Sequence, residues 1–197
     1  FLFGVSDGWS WCVQDVAEVG RGTADEAAAL LSARALGRLV ADLHVALSRP
    51  SAVIGDPVEV ASAAEIAQWR ASALALLGEV CQGTSGDEGD RLRTRAPRIR
   101  AALETLVHVD RTGVMPIHGD LHVGQVLRSS AGYYVNDFDG NPILDPADRG
   151  RPQPPARDVA GMLQSLDHVG RVVLRRVDGV DAGARGVVER VDDVGID

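Results

Sequence analysis

The chain has 197 residues, enough for one domain or two small ones. Apolar residues make up 45% and aromatics only 4%, so a sizeable core is possible but must be built mostly of Ala, Val and Leu. A net charge of −8 argues against a general nucleic-acid or anionic-membrane binder.

All 20 basic residues are Arg, and the chain contains no Lys. Cys12 and Cys81 are far apart and lack metal-ligand spacing, so both read as buried structural thiols. No run approaches the roughly 18 apolar residues of a membrane-spanning helix. The opening FLFGVSDG lacks the basic segment of a signal peptide, and a cytoplasmic protein is expected. Both ends look abrupt, with Phe1-Leu2-Phe3 at the start and GARGVVERVDDVGID at the end, as in a piece of something longer.

In chain order, Phe1 to Val5 reads as a short strand closed by the turn Ser6-Asp7-Gly8. A helix follows over Trp9 to Val19, with Trp9, Cys12, Val13 and Val16 at helical spacing. Thr23 and Glu26 have the spacing of a capping box. They open the clearest helix, whose stripe is Leu36, Leu39, Val40, Leu43 and Leu47, and Pro50 ends it. His44 sits beside that stripe as a core-edge histidine. A third helix runs from about Ser62, with Glu65 in the capping-box position, to about Cys81. Its expected buried face is Ile66, Trp69, Ala73, Leu77 and Val80.

Gln82 to Gly89 reads as a flexible surface connection. A helix over about Asp90 to Val109 follows, in which Pro97 either makes a kink or marks the true start. Its arginines, Arg91 to Arg100, read as a solvated face. His108 lies near its end, where a charged imidazole suits the helix dipole. Leu144 to Pro155 reads as an ordered loop. Asp158 to Leu174 is an amphipathic helix carrying Val159, Met162, Leu163, Leu166, Val169 and Val173. Gly179 to Gly183 is a turn before a possible last helix. The pattern is a mainly helical body with a small β-hairpin, without alternating βαβ units and without a glycine-rich phosphate loop.

Met115 to Pro142, MPIHGDLHVGQVLRSSAGYYVNDFDGNP, is the chemically dense stretch. It reads as strand, polar loop, strand, polar loop. Asp120 follows His118-Gly119, Gln125 stands five residues on, and Asp137 begins Asp-Phe-Asp-Gly directly after the strand Tyr133 to Val135. A base and two oxygen donors on neighbouring loops suit phosphoryl transfer, which needs positioning and charge neutralisation more than covalent help. Asp120 can accept the proton of an attacking hydroxyl. Gln125 and Asp137 offer the hard oxygens that Mg²⁺ prefers.

These residues carry a resemblance. His118-x-Asp120-Leu121 with Gln125 at +5, then Asp137-Phe138, is similar to the catalytic loop and metal motif of the protein-kinase-like superfamily. His-Gly-Asp in place of His-Arg-Asp points to its aminoglycoside-phosphotransferase-like branch. HGDLHVGQVL, DFDGNP and RDVAGMLQSLD, with DGWSW near the start, resemble the actinobacterial glucosamine kinases and maltokinases over nearly the whole chain. Asp139-Gly140-Asn141-Pro142, where maltokinases tend to carry Glu-Gly-Glu-Pro, favours the glucosamine kinases.

The resemblance implies a two-lobed kinase fold, ATP, Mg²⁺ and a sugar acceptor, glucosamine before maltose. It makes Asp120 the base and Gln125 and Asp137 the metal ligands. His122, Asp139 and Asn141 would contact the sugar. His118, Arg157 and Asp158 would support the catalytic loop, Asp158 also serving as an N-terminal helix cap. Kinases of this kind hold the α- and β-phosphates with a lysine of the N-terminal lobe. This chain lacks one, so residues 1–197 are expected to be the C-terminal lobe alone, cut near the hinge and before the last helices, and inactive by itself. Two rival readings are a metallohydrolase using His118, Asp120 and His122, and a non-catalytic kinase-like binding module.

Overall fold

The structure is a computed structural model that describes residues 4–53 and 55–176. In order, its elements are β1 (Ser6–Asp7), α1 (Gly8–Gly20), α2 (Glu26–Leu47), β2 (Glu59–Ala61), α3 (Ala63–Gly83), α4 (Gly86–Glu104), β3 (Thr112–Val114), β4 (Val126–Ser129), β5 (Gly132–Val135), α5 (Pro146–Arg149) and α6 (Ala156–Arg176). Two 3₁₀ turns, Thr105–His108 and Val123–Gln125, complete it. The fold is mainly helical with small sheets, as expected. Among the described residues no helix is long and apolar enough to cross a membrane.

The chain divides into two compact units. One joins the residues up to 57 with those from 115 onward. Its core is Trp11 and Cys12 of α1, Leu36 and Val40 of α2, Leu121, Val123 and Val126, and Met162 and Val169 of α6. The expected hairpin is β4–β5, with Val126 opposite Val135 and Ser129 opposite Gly132. It is widened to three strands by β1, which pairs antiparallel with β4. Of the strand expected over Phe1 to Val5, residues 1–3 lie outside the described residues, and pairing begins only at Ser6. The turn and helix expected beyond Gly179 also lie outside.

Asp7 is paired to β4 and caps α1, its carboxylate accepting from the Ser10 amide and hydroxyl at 3.0 and 2.7 Å. Gly8, the first helical residue, is buried, and a Cβ there would collide with the Val123 carbonyl. The buried face of α1 is Trp11, Cys12 and Ala17. Val16, expected inside, is 36% exposed, because α1 turns Trp11 rather than Val16 toward β4 and β5. The Arg128 guanidinium stacks 4.7 Å over the Trp11 ring and is itself bonded to Asp15 at 2.7 Å.

The capping box expected at Thr23 does not form. Asp25 caps α2 instead, accepting from the Ala27 amide, while the Thr23 amide and hydroxyl both donate to the Glu18 carbonyl at the end of α1. The stripe of α2 is as expected, with Leu36 and Val40 buried and Leu39 and Leu43 packed against the core. Helix α6 runs somewhat longer than expected and buries Met162, Val169 and Val173. Val159 and Leu163 are 42% and 61% exposed, since they lie one position off the face that meets the core.

The second unit, residues 58–114, holds α3 and α4 with the antiparallel pair β2–β3, which periodicity did not anticipate at three residues a strand. Ser62 and Glu65 form the expected capping box at the start of α3. Ile66 and Leu77 are buried as expected, but Val80 is 42% exposed. Gln82 to Gly89 is not a flexible connection: α3 continues to Gly83 and α4 begins at Gly86. Arg93 explains the tight corner, donating to the Cys81 and Thr84 carbonyls at 3.0 and 2.9 Å and so satisfying the end of α3. Pro97 lies inside α4, which ends at Glu104 before the 3₁₀ turn that carries His108.

Candidate active site

Three short segments build the site, all within the first unit. They are the loop His118 to His122, the 3₁₀ turn that places Gln125, and the loop that follows β5. The turn Val123–Gln125 is started by His122, whose Nδ1 accepts from the Gly124 amide at 3.0 Å. The hairpin β4–β5 then returns the chain so that Asn136 donates its amide to the Gln125 carbonyl. Asp137 is thereby delivered beside Gln125, with the Gln125 Nε2 donating to Asp137 Oδ2 at 3.0 Å. Asp137 is the one non-glycine residue with positive φ among the described residues, at 63°. Aspartate tolerates this left-handed conformation better than most residues.

His118 is 1% exposed and has both ring nitrogens engaged. Nδ1 accepts from the Asp120 amide at 3.3 Å, and Nε2, which must then carry the proton, donates to the Asn136 carbonyl at 2.9 Å. This ring therefore ties the Asp120 loop to the strand end that carries Asp137. It also packs on Phe138, ring centroids 5.0 Å apart. With no lone pair left, His118 cannot ligate a metal in this arrangement. Among the described residues no group of three or more His, Cys, Asp or Glu is placed to hold one. The metallohydrolase reading has no observation in its favour.

Asp158 is the anchor of the site. It is 1% exposed, and its carboxylate accepts from the His118 amide (2.9 Å, Oδ2), the Gly119 amide (2.9 Å, Oδ1) and the His44 Nε2 (3.0 Å, Oδ2). A buried carboxylate is tolerable only when so satisfied. The loop's backbone is thus clamped to the first turn of α6. Gly161, one turn on, lets α6 approach closely, since a Cβ there would stand 2.6 Å from the Leu121 carbonyl. Ser165 adds another tie, accepting from the Val123 amide at 3.0 Å.

Asp120 itself is half-buried and lines a cavity of about 470 Å³. That size falls within the range of small-molecule sites. The loop residues Gly119 to His122 form one side, with Asn141, and a stripe of α6 from Arg157 to His168 forms the other.

Of the residues singled out from sequence, the fold brings His118, Asp120, His122, Gln125, Asp137, Asn141 and Asp158 into one neighbourhood. Asn141 lines the cavity while its Oδ1 accepts from the Ile143 amide. Asp139 is exposed and is not part of the cavity wall. Arg157 lines the cavity, but its guanidinium donates to Gln153 Oε1 at 3.3 Å and makes no bond to the Gly119–His122 loop. Four contributors were missed. His44 is a partner of Asp158, where sequence spacing suggested only a core-edge histidine. Arg149 holds the loop after Asp137 by donating to the Leu144 and Pro142 carbonyls. Gln164 and His168 line the cavity from α6. No local signal marks any of them, because each acts on residues remote in sequence or on a surface that only folding creates.

The two cysteines differ. Cys12 is buried, and burial, aided by the Asp15 charge, pushes its thiol up to about 12. Cys81 is only half-buried, so the expectation of two buried thiols holds for Cys12 alone.

No family model matches the chain. It is 43% identical over 181 residues to a glucosamine kinase of Streptacidiphilus jiangxiensis, an alignment covering 92% of this chain and 40% of that protein. It is 39% identical over 169 residues to a glucosamine kinase of Mycolicibacterium smegmatis, covering 86% and 41% respectively. Among solved structures it superposes on a glucosamine kinase in complex with glucosamine, ADP and inorganic phosphate, with a TM-score of 0.86 and 43% identity over 96% of this chain and 46% of the other. Another glucosamine kinase structure gives a TM-score of 0.87 at 42% identity, over 98% and 44%. In sequence and in fold, nearly all of this chain is therefore similar to a part of glucosamine kinases, and it spans less than half the length of the relatives it matches.

Proposed function

We propose that these residues are the base- and metal-bearing lobe of an ATP- and Mg²⁺-dependent glucosamine kinase, working in the cytoplasm and giving glucosamine 6-phosphate. The observation that carries this is the placement of Asp120 on a cavity wall, its loop clamped on buried Asp158 and tied through His118 to the strand end that carries Asp137, which Gln125 touches. Similarity to a structure holding glucosamine and ADP supports the choice of acceptor and donor. The same similarity and the motif spacing support membership of the protein-kinase-like superfamily.

In the proposed reaction a sugar hydroxyl lies against Asp120. The Asp120 carboxylate takes the hydroxyl proton as the oxygen bonds to the γ-phosphorus, and the bond to the ADP oxygen breaks. Gln125 and Asp137 would hold Mg²⁺, a donor set of hard oxygens that fits the ion. When bound, that ion neutralises charge on the phosphate oxygens. His118 and Asp158 keep the base in place, and His122 and Asn141 face the acceptor from the cavity wall. The phosphate-holding lysine is assigned to a part outside these 197 residues, which contain none.

The test is a sugar panel of glucosamine, maltose and glucose, assayed with Mg-ATP on the complete protein that carries this chain. Glucosamine is expected to be the preferred acceptor. Maltose as the only good acceptor would replace this assignment with a maltokinase forming maltose 1-phosphate. Nucleotide binding without transfer to any sugar would point to a non-catalytic module.

A further inference from the structure

The cavity over Asp120 has a second wall, and most of its polar groups are already occupied. On α6, Asp158 is saturated by two loop amides and His44. Ser165 donates to the Met162 carbonyl and accepts from the Val123 amide. The Arg157 guanidinium leans on Gln153. Gly161 is filled by the close approach of Leu121. Two polar side chains on this wall remain without a hydrogen bond among the described residues, Gln164 and His168. They stand four residues apart, so they lie one above the other on one face of the helix. His168 is also held in place, its ring 5.3 Å from that of Trp9 on α1.

We propose that Gln164 and His168 are the specificity-determining residues of this wall, reading hydroxyl groups of the sugar whose reacting hydroxyl lies at Asp120. This rests on the kinase reading above and deepens it. The chemistry selects the ligand class. An amide offers a carbonyl acceptor and two N–H donors, and a neutral imidazole offers one donor and one acceptor. Together they match neutral hydroxyls, which both give and take hydrogen bonds. Neither is a carboxylate, so this wall is not built to hold an ammonium group, and the amine of an amino sugar is read elsewhere. The tilted ring contact with Trp9 favours one orientation of His168 before the sugar arrives, which lowers the entropy lost on binding.

The test uses the complete protein that carries this chain, with Gln164→Leu and His168→Phe, the latter keeping an aromatic ring against Trp9. Each variant is expected to raise the KM for glucosamine about tenfold, the loss of one or two hydrogen bonds. The KM for ATP, kcat and melting temperature should stay close to wild type. Glucosamine KM values within about twofold of wild type in both variants, with an active wild type, would overturn this inference and leave the kinase reading standing. A fall in kcat and melting temperature together, with the KM for ATP also shifted, would mean a structural role and would overturn it equally. A wild type that phosphorylates no sugar would remove the kinase reading, and this inference with it.

Discussion

Single residues in this chain divide into those legible from spacing and those whose partners are remote. Asp120, Gln125 and Asp137 belong to the first kind. Their separations of five and twelve residues match a loop, a 3₁₀ turn and a hairpin that returns the chain to its start. Asp120→Asn should lower turnover at least about a hundredfold, the typical worth of a positioned base, while circular dichroism and melting stay unchanged. Retained activity would remove Asp120 from the base role. His44 is of the second kind, because its partner Asp158 lies 114 residues away. Asp158→Ala should cost about 3 kcal/mol in urea unfolding, since it strands two loop amides and a half-buried imidazole. His44→Ala should cost less, about 1 kcal/mol, because Asp158 keeps both amides. Equal stability of Asp158→Ala and wild type would mean that the clamp contributes nothing.

At the scale of elements, periodicity located five of the six helices and one sheet, and the errors lie at their ends. Ser62–Glu65 formed the box its spacing announced. Thr23–Glu26 did not, because Asp25 is a competing cap and Thr23 has two bonds to Glu18 at the end of α1. Spacing alone cannot weigh a cap against a tertiary partner. The start of α4 was missed because its acidic, glycine-containing first turn has a loop-like composition, and the corner before it is closed by Arg93, which reaches back to the end of α3. Asp7 begins α1, and the Ser10 hydroxyl, followed by the Ser10 amide, holds its carboxyl below the ordinary range. A depressed folded-state value means that this cap stabilises the fold above the carboxyl's unfolded value and is lost as pH falls through the depressed one. Asp7→Ala should therefore destabilise by about 1 kcal/mol at neutral pH, and the gap to wild type should narrow in acid. A gap that stays constant down to strong acid would assign the loss to something other than the charged cap.

For the molecule as a whole, the absence of lysine from the sequence bears most directly on function. If the proposed chemistry is correct, residues 1–197 alone should fail to transfer phosphate efficiently to glucosamine, and robust ATP-dependent phosphorylation by them would refute the assignment of the phosphate-holding lysine to a part outside them. The amino-acid order was enough for the helical class, the hairpin and the grouping of Asp120, Gln125 and Asp137 on neighbouring loops, because each depends on residues close to one another in the chain. It could not establish which polar groups remain available once the chain has folded. Asp158 was expected to hold the Asp120 loop, and it is bonded to that loop across 39 and 40 residues, but its third partner, His44, lies 114 residues away and carried no signal. His118 was expected to brace the Asp120 loop, with metal ligation only in the rival hydrolase reading, and both its nitrogens are engaged, one of them by the Asp120 amide. Gln164 and His168 were not singled out from the sequence, and in the fold they are exposed residues of the cavity wall without a hydrogen bond among the described residues. Hydrogen-bond partners so far apart in sequence converge only through tertiary packing, so the tertiary structure alone decides which side chains hold the site and which can meet a ligand.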